Sequence, residues 1–451
     1  MFLRPPPAAS TVPDTRWQRL RAGAARLASR LGVAAIVPAQ AGLRRGAAIA
    51  GLVVLSGCSS LPRNAPPVTL MNETAIPGLP DVRAPAGRLS PAFMTDLRLS
   101  FAQESAADFP LRDDGIVRYP QLALSGGGAN GAFGAGFLNG WTQTGRRPVF
   151  KIVTGVSTGA LIAPFAFVGP DYDNSLREFY TTTASRHIFR VLSFLPQLLT
   201  GESFADTAPL VNLLEQHVDA ELLRRIAQAH AAGRRLYIGT ANLDAQRFVV
   251  WNMGLIASSG RPEALTLFRQ VMLASASIPV AFPPVMFDVE AGGRRYDEMH
   301  VDGGVGANVF YSGGVFAFGE AREGVGRGVG RERIFVIHNG QLLPTPEVTT
   351  RSVRGIAMRS FESAMKAALV GDLFRIYSIA VREQARFFWI SIPEGVELTG
   401  DEVFDPVRMR ALYDVGFDIA KTGRPWSNSP PGIGALGGEE SRGISGDRDE
   451  P

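Results

Sequence analysis

The 451-residue chain has a single cysteine, Cys58, so no intramolecular disulfide framework can form. It has only five histidines, His187, His217, His230, His300 and His338, and no histidine or carboxylate cluster at the spacing of metal ligands. No metal and no other cofactor are therefore expected. The apolar run from Gly46 to Leu55 is shorter than the about 20 residues that a spanning helix needs. No internal repeat divides the chain. The 46 basic and 42 acidic residues leave a net charge of +4. The basic excess is concentrated before Arg63, so nothing points to a nucleic-acid partner. What is present is the material of a globular protein, 45% hydrophobic and 20% charged residues.

The ends differ from the middle. Arg44 and Arg45 precede the apolar run, and Ser56-Gly57-Cys58-Ser59 follows it. Positive charge, a short apolar stretch and small residues make a secretory signal. Leu55-Ser56-Gly57-Cys58 resembles the lipobox of bacterial lipoproteins, which implies cleavage before Cys58 and lipidation of its thiol. The expected product is an exported lipoprotein anchored to a membrane surface in the cell envelope, with Ser59 permitting the outer membrane and its periplasmic face. About forty residues before Arg44 are many for such a signal, so translation is expected to start downstream of Met1. Four regions follow: an extension and signal at 1–57, a Pro-rich tether at 58–115, a catalytic domain at 116–426 and a disordered tail at 427–451.

Within the third region, short apolar runs alternate with helical ones. Gln121-Leu-Ala-Leu124, Phe150-Lys-Ile-Val153, Arg235-Leu-Tyr-Ile-Gly239, Arg247-Phe-Val-Val-Trp251 and Ile334-Phe-Val-Ile-His338 read as strands, and 352–383 and 405–421 as helices. The alternation predicts an α/β fold with a largely parallel sheet.

Three glycine-rich segments follow predicted strands, where sites form in such folds. Ser125-Gly126-Gly127-Gly128-Ala129-Asn130-Gly131 can turn backbone N–H groups outward at the start of a helix, as an oxyanion hole or a phosphate cradle requires. Gly155-Val156-Ser157-Thr158-Gly159 has the spacing of a nucleophile elbow, a strained turn that projects a serine between strand and helix. A serine hydroxyl needs a base within reach, and Asp302, in His300-Val301-Asp302-Gly303-Gly304, can supply it if burial raises its pKa. The plain alternative for Asp302 is an Asx turn.

In this order the segments resemble the patatin-like phospholipase family. Ala274-Ser-Ala-Ser-Ile-Pro-Val-Ala-Phe-Pro-Pro284, between the serine and the aspartate, is similar to a further stretch of that family. The likeness covers residues 121–308 and, more weakly, reaches about 424. It implies a three-layer fold with helices on both sides of a largely parallel sheet, and lipid ester hydrolysis by a Ser157-Asp302 dyad. It also implies an oxyanion hole at Gly126, Gly127 and Gly128, with Gly131, Gly155, Gly159, Gly303 and Gly304 as motif glycines. Many members carry Arg or Lys where Asn130 stands, so head-group preference or rate is expected to differ here.

Other readings remain open. Ser157, Asp302 and His338 follow the chain order of an α/β-hydrolase triad. Gly126, Gly128 and Gly131 fit a dinucleotide fingerprint, although the region about 20 residues on, 145–151, is basic rather than acidic. A lipid-tethered interaction protein without activity is a third reading. The apolar stretch 187–199 is either an acyl-chain contact or a buried helix, and Phe133, Phe137, Phe165 and Phe167 read as core.

Overall fold

The computed structural model describes residues 62–191, 203, 205–325, 329–344, 346–398, 402–423 and 425–432. All described residues belong to one compact unit, which runs from Ser60 onward. Cys58 and its flanking signal lie outside the described residues, as do 192–199 of the apolar stretch and 433–451 of the tail.

The strands are β1 (Arg83–Pro85), β2 (Val117–Leu124), β3 (Ile152–Val156), β4 (Arg190–Val191), β5 (Ala205–Asp206), β6 (Arg235–Asn242), β7 (Arg247–Asn252), β8 (Val285–Ala291), β9 (Arg294–Asp302), β10 (Gly330–His338) and β11 (Arg386–Ser391). Apart from the small β4–β5 ribbon they form one sheet, ordered β1-β7-β6-β3-β2-β10-β11, with the β8–β9 hairpin attached through β9 to β6. The centre, β6-β3-β2-β10-β11, is parallel throughout. β7, β1 and β9 add antiparallel neighbours.

The parallel strands are buried on both faces because each carries apolar residues at odd and even positions. Leu122 and Leu124 of β2, Val153 of β3 and Phe335 and Ile337 of β10 enter one core. Their alternates Ala123, Ile152, Val156, Ile334 and Val336 enter a second core on the opposite face. Helices α1 (Pro91–Gln103) and α5 (Val353–Arg382) cover the second core, while α2 (Gly131–Gln143), α3 (Thr158–Val168), α4 (Ala264–Ser275) and α6 (Pro406–Lys421) cover the first. The result is the expected three-layer α/β arrangement.

The tether expected over 58–115 is corrected by this packing. β1 pairs with β7, and Phe93, Leu97 and Phe101 of α1 are wholly buried in the second core. Pro91, one of the prolines of that Pro-rich region, is the first residue of α1 after its N-cap Ser90, where a missing N–H costs nothing. The expected tail boundary at 427 is corrected as well. Ser427 exchanges backbone hydrogen bonds with Trp389 of β11, and Trp389 Nε1 donates to Ser429 O at 2.7 Å.

Candidate active site

β3 ends at Val156, and the chain turns at once into α3. Ser157 makes the turn with φ 55° and ψ −126°, a conformation that is strained for a residue with a Cβ. Its flanking glycines are required by close approach. A Cβ on Gly155 would stand 2.4 Å from Gly159 O, and one on Gly159 would stand 2.3 Å from Leu124 O. Ser157 N–H donates to Ser275 Oγ at 3.0 Å, and the Ser275 hydroxyl donates to Gly239 O at 2.6 Å. Ser275, from the Ser-Ala-Ser stretch at the end of α4, therefore supports the elbow from behind.

Asp302 is brought to this turn by the sheet. β7 occupies one edge of β6, so β3 and β9 must share the other. β3 runs parallel to β6 and ends with Val156 opposite Gly239. β9 runs antiparallel and ends with Asp302 opposite Thr240. The two strands meet end to end, so Ser157 and Asp302 leave the same edge at neighbouring positions. Gly303 fits the junction, because a Cβ there would come 2.4 Å from Gly239 O.

The Asp302 main-chain N–H donates to Ser277 O at 2.8 Å, and Oδ1 accepts from Gly304 N–H at 2.7 Å. Oδ2 is buried without a well-formed hydrogen bond to any described residue. Burial pushes the carboxyl up to about 7, against the opposing effects of the Ser157 hydroxyl and the Gly304 N–H. A carboxyl so placed is ionised for part of the time near neutrality and lies beside a serine hydroxyl. It can accept a proton from it.

The glycine loop lies across Ser157 from β2. A Cβ on Gly126 would come 3.2 Å from Ser157 Cβ, which puts the loop backbone against the elbow. Gly126 N–H donates to Asn308 O at 3.0 Å, so it is not available to a substrate. Of the three expected donors, Gly126 is thereby removed. Gly127 (φ 152°) and Gly128 (φ 56°) both take backbone conformations that favour glycine. Gly131 opens α2 facing Thr158 and Tyr180, and Gly304 meets Met365 of α5. Asn130 is half-buried at the α2 N-terminus and makes no side-chain capping bond.

Neither nearby histidine hydrogen-bonds Ser157 or Asp302 among the described contacts. His338 Nδ1 lies 2.9 Å from Ser125 Oγ, and burial pushes its pKa down to about 3. His300 lies between Thr240 Oγ1 at 2.9 Å and Glu298 at 3.2 Å, in edge-to-face contact with Trp251 and Phe287. Two of the three basic residues in 145–151 are also engaged. Arg147 pairs with Asp173 at 2.7 Å and Lys151 with Glu104 at 2.8 Å, which leaves neither placed for a nucleotide 2′-phosphate.

Ser157 and Gly128 border a pocket lined mainly by apolar side chains, among them Leu161, Phe179, Ile188, Phe282 and Met409. Ile188 comes from the described part of the apolar stretch, and Phe189 packs on Phe282 at 5.7 Å between ring centres. Phe133, Phe137, Phe165 and Phe167 lie in the first core.

Several residues that build the site carry no motif of their own. Asn308 engages Gly126, and Asn339 binds the loop through Ser125. Asp372 of α5 accepts from Asn308 N–H at 2.7 Å.

Residues 122–312 match the family model described as patatin-like phospholipase. Among solved structures, VipD from Legionella pneumophila aligns at 12% identity and a TM-score of 0.34, over 69% of this chain and 68% of VipD. Human GIVD cytosolic phospholipase A2 aligns at 12% identity and a TM-score of 0.31, over 75% of this chain and 63% of the human chain. The match thus spans less than two thirds of that phospholipase. No curated protein matches the sequence.

Proposed function

We propose that this chain is a patatin-like lipid acyl hydrolase in which Ser157 is the nucleophile and Asp302 its base. The observation that carries the reading is the end-to-end meeting of β3 and β9 on β6, which sets the strained serine beside a buried carboxyl with a raised pKa. Asp302 takes the hydroxyl proton as Ser157 Oγ attacks the ester carbonyl. The amides of Gly127 and Gly128 stabilise the oxyanion. Protonated Asp302 then donates to the leaving alcohol, and on regaining its charge it activates the water that releases the acid.

The apolar pocket beside Ser157 suits an acyl chain better than a polar substituent. A Ser157-Asp302-His338 triad would require His338 to leave Ser125 and gain a proton that its burial disfavours. Lipidation of Cys58 would hold the domain on its substrate surface in the cell envelope, and mass spectrometry of the mature N-terminus tests that anchor. The catalytic reading is tested with purified protein and a panel of phospholipids, lysophospholipids and p-nitrophenyl esters beside Ser157→Ala. Cleavage of the lipids by the parent chain alone supports it, and equal cleavage by both proteins overturns it.

A further inference from the structure

One buried residue touches the glycine loop at several points and belongs to none of its motifs. Asn339 follows β10 and is wholly buried. Its Nδ2 donates to Ser125 O at 2.9 Å, and its Oδ1 accepts from Gly134 N–H at 3.1 Å. One carboxamide thus spans from the residue that enters the loop to the first turn of α2 that leaves it. The main chain of Asn339 adds two further contacts. Its N–H donates to Ser125 Oγ at 2.9 Å, and its carbonyl oxygen would lie 2.0 Å from any Cβ at Gly127.

We infer that Asn339 is a positioning residue that sets the direction of the Gly127 and Gly128 amides, an inference that rests on the Ser157-Asp302 reaction proposed above. A carboxamide donates at one end and accepts at the other, and Asn is the shorter of the two residues that carry one. Losing it leaves Ser125 O and Gly134 N–H without these partners in a dry interior, and the loop between them is free to shift. Oxyanion donors act only within about 2.7–3.1 Å of the developing charge, so a small shift removes their effect. Asn339 reaches no substrate. Its influence passes wholly through the loop.

Two substitutions test this from opposite sides. Asn339→Ser removes the amide. Gly134→Ala places a Cβ 2.4 Å from Asn339 Oδ1 and displaces it, while alanine favours α2 by about 1 kcal/mol and so protects folding. Each enzyme is assayed on a p-nitrophenyl ester, with rates expressed per titrated active site. A trifluoromethyl ketone is the second readout, since Ser157 adds to it to give a hemiketal oxyanion while its proton passes to Asp302.

The expected result is a kcat about 100-fold lower, the size of losing one oxyanion donor, with KM within twofold. The ketone's Ki should rise by a similar factor, and the double variant should be no worse than the weaker single one. A purely structural role would lower the titrated fraction and leave the per-site constants unchanged. Per-site kcat and ketone affinity within threefold of the parent in a folded variant would overturn the inference. A parent protein that cleaves no ester would instead overturn the Ser157-Asp302 reading beneath it.

Discussion

Ser157 and Asp302 stand where two strands collide, one running up and the other down the same edge of β6, with their last residues opposite Gly239 and Thr240. Neighbouring positions in a hydrogen-bonded sheet fix the approach of the two side chains without a loop having to find it. The site is therefore held as firmly as the sheet. Its cost is a buried carboxyl whose ionisation the surroundings oppose.

That opposition gives a pH dependence with a definite sign. Asp302 acts as a base only when ionised, and its carboxyl titrates near 7, so kcat/KM is expected to fall tenfold per pH unit below about 7 and to level off above it. Stability should run the other way. A carboxyl raised above its unfolded value stabilises the fold fully below pH 4, and that contribution is lost as pH rises through about 7. Asp302→Asn is thus expected to be inactive yet more stable than the parent at pH 8, by an amount on the order of a few kcal/mol. Thermal melts of both proteins at pH 5 and pH 8 check this, the gap between them being wider at the higher pH.

His338 separates the dyad from a triad. With its Nδ1 beside Ser125 Oγ and its charge disfavoured by burial, His338→Ala should keep kcat within about tenfold while losing some stability. Steady-state rates of the folded variant decide the matter. A loss of three or more orders of magnitude would bring the histidine back into the chemistry.

The segment before β2 belongs to the fold. Phe93 is wholly buried and stacks on Tyr237 with ring centres 5.5 Å apart, so Phe93→Ala is expected to cost about 3–5 kcal/mol. Denaturant unfolding measures this directly. A change below 1 kcal/mol would mean that 91–103 is dispensable after all.

Asn130 bears on head-group choice. It stands half-buried at the α2 N-terminus without a side-chain capping bond, so a longer cation there can reach outward. Asn130→Arg is expected to raise the ratio of kcat/KM for phosphatidylglycerol over phosphatidylcholine at least about threefold, the worth of one partly exposed charge pair. Competition between the two lipids in mixed micelles reads that ratio, and an unchanged ratio would remove Asn130 from the head-group site.

The parts of this site that can be read from sequence are those with local causes. Gly155 and Gly159 flank Ser157 at a fixed offset because the turn itself excludes a Cβ, and the glycines around Asp302 mark a strand end in the same way. The alternating apolar residues of β2 and β10 announce a sheet buried on both faces. Residues whose role depends on distant contacts leave no such trace. Asn339 lies in no motif and reaches Ser125 across 214 positions, and although Ser275 lies in one, its contact with Ser157 across 118 positions is not visible before the chain folds. Gly126 misleads for the same reason, since its amide is taken by Asn308. Pro91 misleads locally, because a helix start and a flexible linker both favour proline.

The most direct test of the account is covalent labelling with a fluorophosphonate, followed by peptide mass spectrometry and by rates measured for the parent and Asp302→Asn. The expected result is one adduct on Ser157, formed at least about 100-fold more slowly when Asp302 cannot accept the proton. An adduct on another residue, or labelling of Ser157 at an unchanged rate in Asp302→Asn, would contradict the Ser157-Asp302 mechanism.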